Sequence, residues 1–498
     1  MSLSLKKYIL EITVFVCGAV VMVFELTGSR LLAPHVGTSI FVWTSLIGVI
    51  MGSLSIGYAM GGWLADKKAS ANTLALIVLA SSVFIGSIFF LQGGVSRLFN
   101  PALLGIEWAS LLSSLILFAP ASILLGMVTP YVIKLKLHDL EKTGRTAGNL
   151  YAISTVGSIV GTFAAGFILI PRLGSSNIIF LLSFILIVNS ILLSSKFLKI
   201  KLPLIALIIL IASANIYAKK IQAQNGFLDI DSQYNRIFVF KSNDYKSGRP
   251  TLNLTFDPFG TESAMFLDDN DELVFEYTKF YHLIKHFNPE FKKSLLLGGA
   301  AYSFPKDYLK KYPDALLDVV EIDPKLTELA KKYFKLEENP RMRIFHEDGR
   351  VFLNSTEEKY DVIFGDAFQS LYSIPYQLTT KEAVQKKYDI LNDGGVVILN
   401  IISSIEGEKG KFLRAEYETY KSVFPQAYLF PVRNAENGDE LQNIILVAIK
   451  SDVKPSFESD NRELNGYLKN HWQKDIEKDV PILKDEFAPV DYYIHKAI

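Results

Sequence analysis

The chain has 498 residues and a single cysteine, Cys17, which lies inside an apolar run. An intrachain disulfide is excluded, and an apolar setting argues against a reactive thiolate. The chain also has no excess of charge. Its 51 basic residues meet 51 acidic ones, so it has no electrostatic footprint for nucleic acid, and no nucleic-acid partner is expected. Phosphate-binding signatures are missing too. There is no G-x-x-x-x-G-K-[ST], and the glycine turn in "LLLGGAAYS" leaves the G-x-G-x-x-G pattern after its first two glycines.

What the chain has in quantity is apolar sequence: half of it is hydrophobic, and unevenly so. A membrane-crossing helix needs about 20 apolar residues. Seven such runs precede residue 220, at roughly 8–29, 40–64, 73–92, 109–132, 149–171, 176–195 and 202–218. The first is too long, and followed by too many others, for a cleaved signal peptide. An all-α transmembrane bundle of about seven helices is expected over 1–220, with the lipid bilayer as its partner and a multi-pass place in the cell membrane. Gly57 and Gly61 in one run, and Gly157, Gly161 and Gly166 in another, stand at helical spacing. Such glycines let backbones approach closely. Ordinary bundle packing and a lined transport path both fit. Glu25 and Arg30 flank the end of the first run, where charges pair or snorkel.

Basic residues alternate between loops. Lys6, Lys7, Lys67, Lys68, Lys134, Lys136, Lys142, Arg145, Lys196, Lys199 and Lys201 fall on one side, and Arg30, Arg97 and Arg172 on the other. The positive-inside rule then puts the N-terminus in the cytoplasm, and seven crossings put the rest outside.

The second half reads differently. Short strands with turns run from "DSQYNRIFVFKS" to "SAMFLDD", and "DELVFEYTKFYHLIKHF" looks helical; together they make a small β subdomain with a linking helix, 221–290. From Ser294 strands alternate with helices, which predicts an α/β Rossmann-like domain over 291–498, with a parallel sheet covered on both faces. Ligands bind beyond the carboxyl ends of such strands. Four ends carry informative residues. Gly298 and Gly299 admit a ligand close to the backbone. Glu321, about 20 residues on, suits a ribose diol. Asp348 in "HEDG" can accept from an adenine amino group. Asp366 closes "YDVIFGDAF". The set is shaped for adenosine but lacks a phosphate cradle, which favours an adenosyl sulfonium over NAD or ATP.

These blocks, "LLLGG", "VVEIDPKL", "NPRMRIFHEDGRVFL", "YDVIFGDAF" and "LTTKEAVQKKYDILNDGGVVILN", resemble the core of the spermidine synthases, the polyamine aminopropyltransferases. The resemblance covers about 225–450, and the membrane half resembles multi-span bacterial proteins with a fused domain of that kind. It implies a methyltransferase-type sheet behind a small β-domain. It also implies decarboxylated S-adenosylmethionine as co-substrate, an amine acceptor, usually putrescine, and methylthioadenosine as product. No tightly bound cofactor and no metal are needed, because the sulfonium supplies the driving force. A homodimer is an open expectation. Glu321 would hold the ribose, Asp348 and Gly349 the adenine, and Asn235 stands where a donor-binding glutamine is usual. Tyr281 and His282 match a Tyr-His-Glu segment with Leu283 in place of Glu, and His282 would help bind the polyamine. Asp366 matches the general base. Two family carboxylates are absent: Ala301 stands in the turn where an aspartate anchors the diamine, and Gln369 replaces a second aspartate after the base. A diamine would lose charge-assisted bonds worth about 1.5–3 kcal/mol each, so putrescine is expected to be a poor substrate.

Three readings therefore stand: aminopropyl transfer, methyl transfer from S-adenosylmethionine, and a transporter or sensor that binds adenosyl ligands without turnover. The side of the membrane stays open, because loop charges export a domain whose donor is cytoplasmic.

Overall fold

The structure is a computed structural model that describes residues 8–37, 39–137, 143–256, 260–367 and 374–497. The chain divides into two compact units, Met1–Ile237 and Phe238–Ile498.

In the first unit the apolar runs form long helices: α1 (Ile9–Val36), α2 (Ile40–Lys68), α3 (Ala71–Leu98), α4 (Ile106–Lys136), α5 (Thr143–Ala164, continued by helical turns to Leu173), α6 (Ser175–Leu193) and α7 (Leu198–Gln224). All seven are long and apolar enough to cross a membrane. The glycine stripes are packing surfaces. A Cβ on Gly57 or Gly61 would run into the α4 backbone at Ile123 and Met127, and one on Gly157 or Gly161 into the α1 backbone at Phe15 and Ala19. Gly166 faces open space. Close approach thus accounts for four of these five glycines.

Some buried polar groups find partners across the bundle. The Thr13 hydroxyl donates to Asn189 Oδ1 at 2.9 Å. Lys201, fully buried, donates to the carbonyls of Ser190 and Ser194 at the end of α6, at 2.7 and 2.8 Å. A cation there answers the free carbonyls and the negative end of the helix dipole. At the other end the segment after α7, with strand β1 (Leu228–Asp231), is tied back to the helices. Arg30 near the end of α1 donates to the Gln233 carbonyl. Ser175, opening α6, donates its hydroxyl to Asp231 at 2.9 Å. Arg236 grips Asp229 through two 2.8 Å bonds, and Lys219 joins them at 3.0 Å. The end of α1, the start of α6 and the end of α7 therefore share one face of the bundle.

The second unit holds two sheets. Strands β2 (Arg236–Asn243), β3 (Pro250–Thr255) and β4 (Ser263–Phe266) form an antiparallel meander. The larger sheet has seven strands in the order β10-β11-β9-β8-β5-β6-β7, with β5 (Lys293–Leu297), β6 (Leu316–Val320), β7 (Met342–Phe345), β8 (Tyr360–Gly365), β9 (Leu391–Ser403), β10 (Gln426–Pro431) and β11 (Gln442–Ile449). Strands β5 to β9 are mutually parallel, as alternation with helices predicts. The edge differs from the all-parallel expectation. β11 runs antiparallel to β9, and β10 antiparallel to β11, because the turn at 432–441 is too short for a crossover. Alternation along the strands feeds two cores. Leu295 and Leu297 face Val384, Phe412, Leu413 and Tyr420, while Leu296 faces Phe304, Tyr308 and Ala330 on the opposite side.

The segment read as one helix over 271–287 is broken. Leu273 bridges Met265 in extended form, and helical turns cover only Glu276–Lys279, Phe280–Leu283 and Ile284–Phe287. The helices α8 (Ser303–Lys311), α9 (Pro324–Tyr333), α10 (Gly349–Ser355), α11 (Lys381–Ile390) and α12 (Lys411–Lys421) cover the large sheet.

Candidate functional site

The carboxyl ends of β5, β6, β7 and β8 lie side by side, and one hydrogen bond passes from each to the next. Gly298 N donates to Val320 O, Glu321 N to Phe345 O and Asp366 N to Leu297 O, each at 2.9 Å. The four polar strand ends anticipated from sequence therefore form one edge. Gly298 has φ +96°, and a Cβ on it would strike the Asp366 carbonyl. Only glycine fits where β5 turns away this close to β8.

The turn that follows is held by Glu321. Its Oε2 accepts from Gly299 N at 2.9 Å and Ala300 N at 3.0 Å, and its Oε1 from Asp323 N at 2.9 Å. Burial raises this carboxyl above the usual range, and the three backbone donors oppose the rise. A carboxylate has about four acceptor positions, so one on Oε1 remains. Ala300 and Tyr302 both take left-handed backbone, at φ 44° and 58°. Such residues store on the order of 1 kcal/mol each. Tyr302 offsets this by packing its ring over Gly299 and bonding Thr327 at 2.7 Å. Ala301 is fully buried.

Asp348 caps α10, its Oδ1 accepting from Arg350 N at 2.8 Å and Val351 N at 3.1 Å. Its Oδ2 has no protein partner among the described residues. Gly349 follows as the first residue of α10, and Leu378 covers it.

Asp366 is gripped from two directions. Tyr277 donates its hydroxyl to Oδ2 at 3.1 Å, and Asn400 Nδ2 donates to Oδ1 at 3.2 Å. Asn443 Nδ2 in turn donates to Asn400 Oδ1 at 3.0 Å, which fixes which way the Asn400 amide points. The Tyr281 hydroxyl is fully buried, faces the same carboxylate and makes no hydrogen bond of normal geometry. Burial pushes the Asp366 carboxyl up to about 6, while Asn400, Tyr277 and Tyr281 pull it down. Burial and the Asp366 charge push both phenols well up, so both remain donors at neutral pH. A buried carboxylate poised near neutrality and ringed by donors can accept a proton.

Sequence reasoning missed Tyr277, Asn400 and Asn443. A signal existed for two of them: Tyr277 stands four residues before Tyr281, and Asn400 is the lone polar residue in "VVILNII". His282 sits elsewhere. It is buried, with Nδ1 2.7 Å from the Tyr312 hydroxyl; Nε2 lies 2.8 Å from Asp307 Oδ2, but those two atoms make no hydrogen bond of acceptable geometry. Asn235 belongs to the first unit, where its backbone closes a turn with Ser232. Gln369 lies outside the described residues. Among the described residues no three His, Cys, Asp or Glu gather as metal ligands.

Residues 275–443 match the family described as the spermine/spermidine synthase domain. The polyamine aminopropyltransferase of Vibrio vulnificus (strain CMCP6) is 27% identical over 279 residues, 52% of this chain and 88% of its own. Polyamine aminopropyltransferase 2 of Aquifex aeolicus (strain VF5) is 21% identical over 411 residues, 78% of this chain and 79% of its own. The second unit runs only from 238 to 498, so that match extends into the apolar helices. A solved structure of a probable spermidine synthase from Corynebacterium glutamicum ATCC 13032 is similar with a TM-score of 0.42 and 20% identity, over 51% of this chain and 94% of that one.

Proposed function

Residues 275–443 form a spermine/spermidine synthase domain, and on that premise we propose that the protein is a membrane-bound aminopropyltransferase of polyamine synthesis. It takes decarboxylated S-adenosylmethionine as donor, transfers the aminopropyl group to an amine and releases methylthioadenosine. The observation that carries this reading is Asp366, a buried carboxylate near neutral pKa beside the glycine turn and the ribose-type carboxylate.

The chemistry assigns each part a role. An alkylammonium has a pKa near 10 and no lone pair at about pH 7. Asp366 holds the cation and takes one proton as the nitrogen attacks the carbon beside the sulfonium. The C–N bond forms, the C–S bond breaks, and its electron pair leaves with methylthioadenosine. A base near pKa 6 is ionised at pH 7 yet still basic enough to share the proton in flight. The donor's ribose approaches Glu321, where Oε1 has room for one hydroxyl. Asp348 Oδ2 is open to an adenine amino group, with Gly349 beside it. Gly298 and Gly299 let the adenosyl group lie close to the backbone. Tyr281 supports the amine; His282 acts behind it through packing, and Asn235 and Gln369 are assigned to donor and acceptor on resemblance alone.

The seven apolar helices anchor the chain in the lipid bilayer as a multi-pass protein. The chain leaves the bundle on the face of the α1 C-terminus, opposite the basic loops. Loop charges then favour the non-cytoplasmic side for the catalytic domain, whereas a cytoplasmic donor requires the opposite side, so labelling from outside the cell also tests the donor.

One experiment tests the function: the detergent-solubilised full chain is incubated with an amine and either decarboxylated S-adenosylmethionine or S-adenosylmethionine. Methylthioadenosine from the first donor is expected. A methylated amine and S-adenosylhomocysteine from the second donor alone would overturn the reading in favour of methyl transfer.

A further inference from the structure

The segment that closes over Gly349 is held by residues far along the chain. A Cβ on Gly349 would meet both Leu378 methyls at 3.4 Å. Leu378 ends a lone helical turn, Tyr376–Leu378, and Arg350 ties that turn to α10. The Arg350 backbone N–H donates to Asp348 Oδ1 at 2.8 Å, while its guanidinium donates to the Gln377 carbonyl and the Thr380 hydroxyl, both at 3.0 Å. One residue thus links the Asp348 carboxylate to the two residues that bracket Leu378. The guanidinium is aimed in turn by the C-terminal tail. Asp485 accepts from Arg350 Nη2 at 2.6 Å and Nη1 at 3.2 Å, and from the Thr380 hydroxyl at 2.6 Å. The tail is pinned there by its own backbone. The Leu483 carbonyl accepts from Lys381 N at 2.8 Å, Leu483 N donates to the Thr419 hydroxyl at 3.0 Å, and Asp485 N donates to Glu382 at 3.0 Å. A guanidinium is a rigid, planar fork, so seating one edge on a carboxylate fixes where its other N–H groups point. Here they point at Gln377 and Thr380. Asp485 lies beyond residue 443, where the family match ends.

We propose that Asp485 is a positioning residue for donor binding: through the Arg350 guanidinium it holds Leu378 over Gly349, so that the C-terminal tail shapes the adenine end of the site. The assignment rests on the reading of Asp348 and Gly349 as the adenine site. Asparagine at 485 would offer one acceptor oxygen and face an N–H group against a guanidinium that cannot accept. The fork then loses its second bond and its aim, and the Leu378 segment is released. Asp348 stays, because backbone N–H groups hold it. The reacting end is untouched, because Asp366 is gripped by Tyr277 and Asn400 instead.

The test is calorimetric binding, to the full chain in detergent, of methylthioadenosine and of methylthioinosine, in which a carbonyl replaces the adenine amino group. The wild type is expected to prefer methylthioadenosine. Asp485→Asn should weaken methylthioadenosine by about 3–10-fold and narrow that preference; the loss is smaller than for a fully buried charge-assisted bond because the pair is partly exposed. In turnover the loss should appear in the KM of decarboxylated S-adenosylmethionine and leave kcat unchanged. Asp485→Glu, which keeps the carboxylate, should recover most of the affinity. Arg350→Lys, which keeps the charge and loses the fork, should match Asp485→Asn. Asp479→Asn loosens the same tail at Arg414, which grips the Ile405 and Gly407 carbonyls rather than the Leu378 segment, and should leave the affinity unchanged. Full affinity in both Asp485→Asn and Arg350→Lys, or an equal loss in Asp479→Asn, overturns the positioning role and leaves the donor site standing. A wild type that binds neither nucleoside, or both alike, overturns the adenine assignment itself, and that of Asp485 falls with it.

Discussion

Asn400 offers a way to perturb the base without touching it. Its Nδ2 donates to Asp366 Oδ1 at 3.2 Å, and Asn443 holds its amide in that orientation. A hydrogen bond to the ionised form lowers a carboxyl pKa, so removing the donor must raise it. Charge-assisted bonds contribute about 1.5–3 kcal/mol, and 3.2 Å is long for one, so the lower end applies. One pKa unit corresponds to about 1.4 kcal/mol. Asn400→Ala should therefore move Asp366 from about 6 up by about one unit, towards about 7. The assay is kcat/KM for the amine between pH 5 and 9, read as methylthioadenosine release. The amine's own ionisation is common to both proteins, so the difference between profiles isolates Asp366. At pH 6.5 the variant should lose about 3-fold, and by pH 9 the two should converge. An equal loss at every pH, or a midpoint that stays or falls, would refute the link between Asn400 and the base.

Asp366→Asn should cut turnover by about 10²–10⁴-fold while sparing methylthioadenosine binding. It should also stabilise the domain. The folded pKa of about 6 exceeds the unfolded value of about 3.9, so this group's contribution to stability is complete below pH 4 and lost as pH rises through 6. At pH 8 the variant should be more stable by about 3 kcal/mol, an advantage absent at pH 4 in thermal melts of the solubilised chain. Glu321→Gln should weaken methylthioadenosine binding by about 10–100-fold in calorimetry, since it removes a ribose acceptor and faces an amide N–H against the turn; equal affinity would refute the ribose assignment. For sidedness, Cys17 is replaced and a single cysteine set at exposed Ala69 or Ser456. An impermeant maleimide on intact cells should label position 456 and not 69, and the reverse pattern would place the catalytic domain in the cytoplasm.

The fold was legible where one period governs a stretch of chain. Uninterrupted apolar runs give seven helices, and strands β5 to β9 appear because each is bounded by its own turn residues. The linking segment was not legible. "DELVFEYTKFYHLIKHF" has helical periodicity, but Leu273 is drawn into a bridge with Met265, and the helix breaks into single turns. Tertiary pairing won over local pattern there, and it set the orientation of Tyr277 as well. Strand β10 escaped because "QAYLFP" is short, and its antiparallel direction follows only from pairing with β11.

The site divides along the same line. Gly298, Glu321, Asp348 and Asp366 were readable because each closes a strand in a parallel sheet, where topology alone brings carboxyl ends together. Partners drawn from neighbouring strands need register, which a sequence does not display. Asn400 pairs with Ile445 across β9 and β11, which sets Asn443 two residues along on the same face. A slip of one residue would turn Asn443 to the other face and leave Asn400 free to rotate.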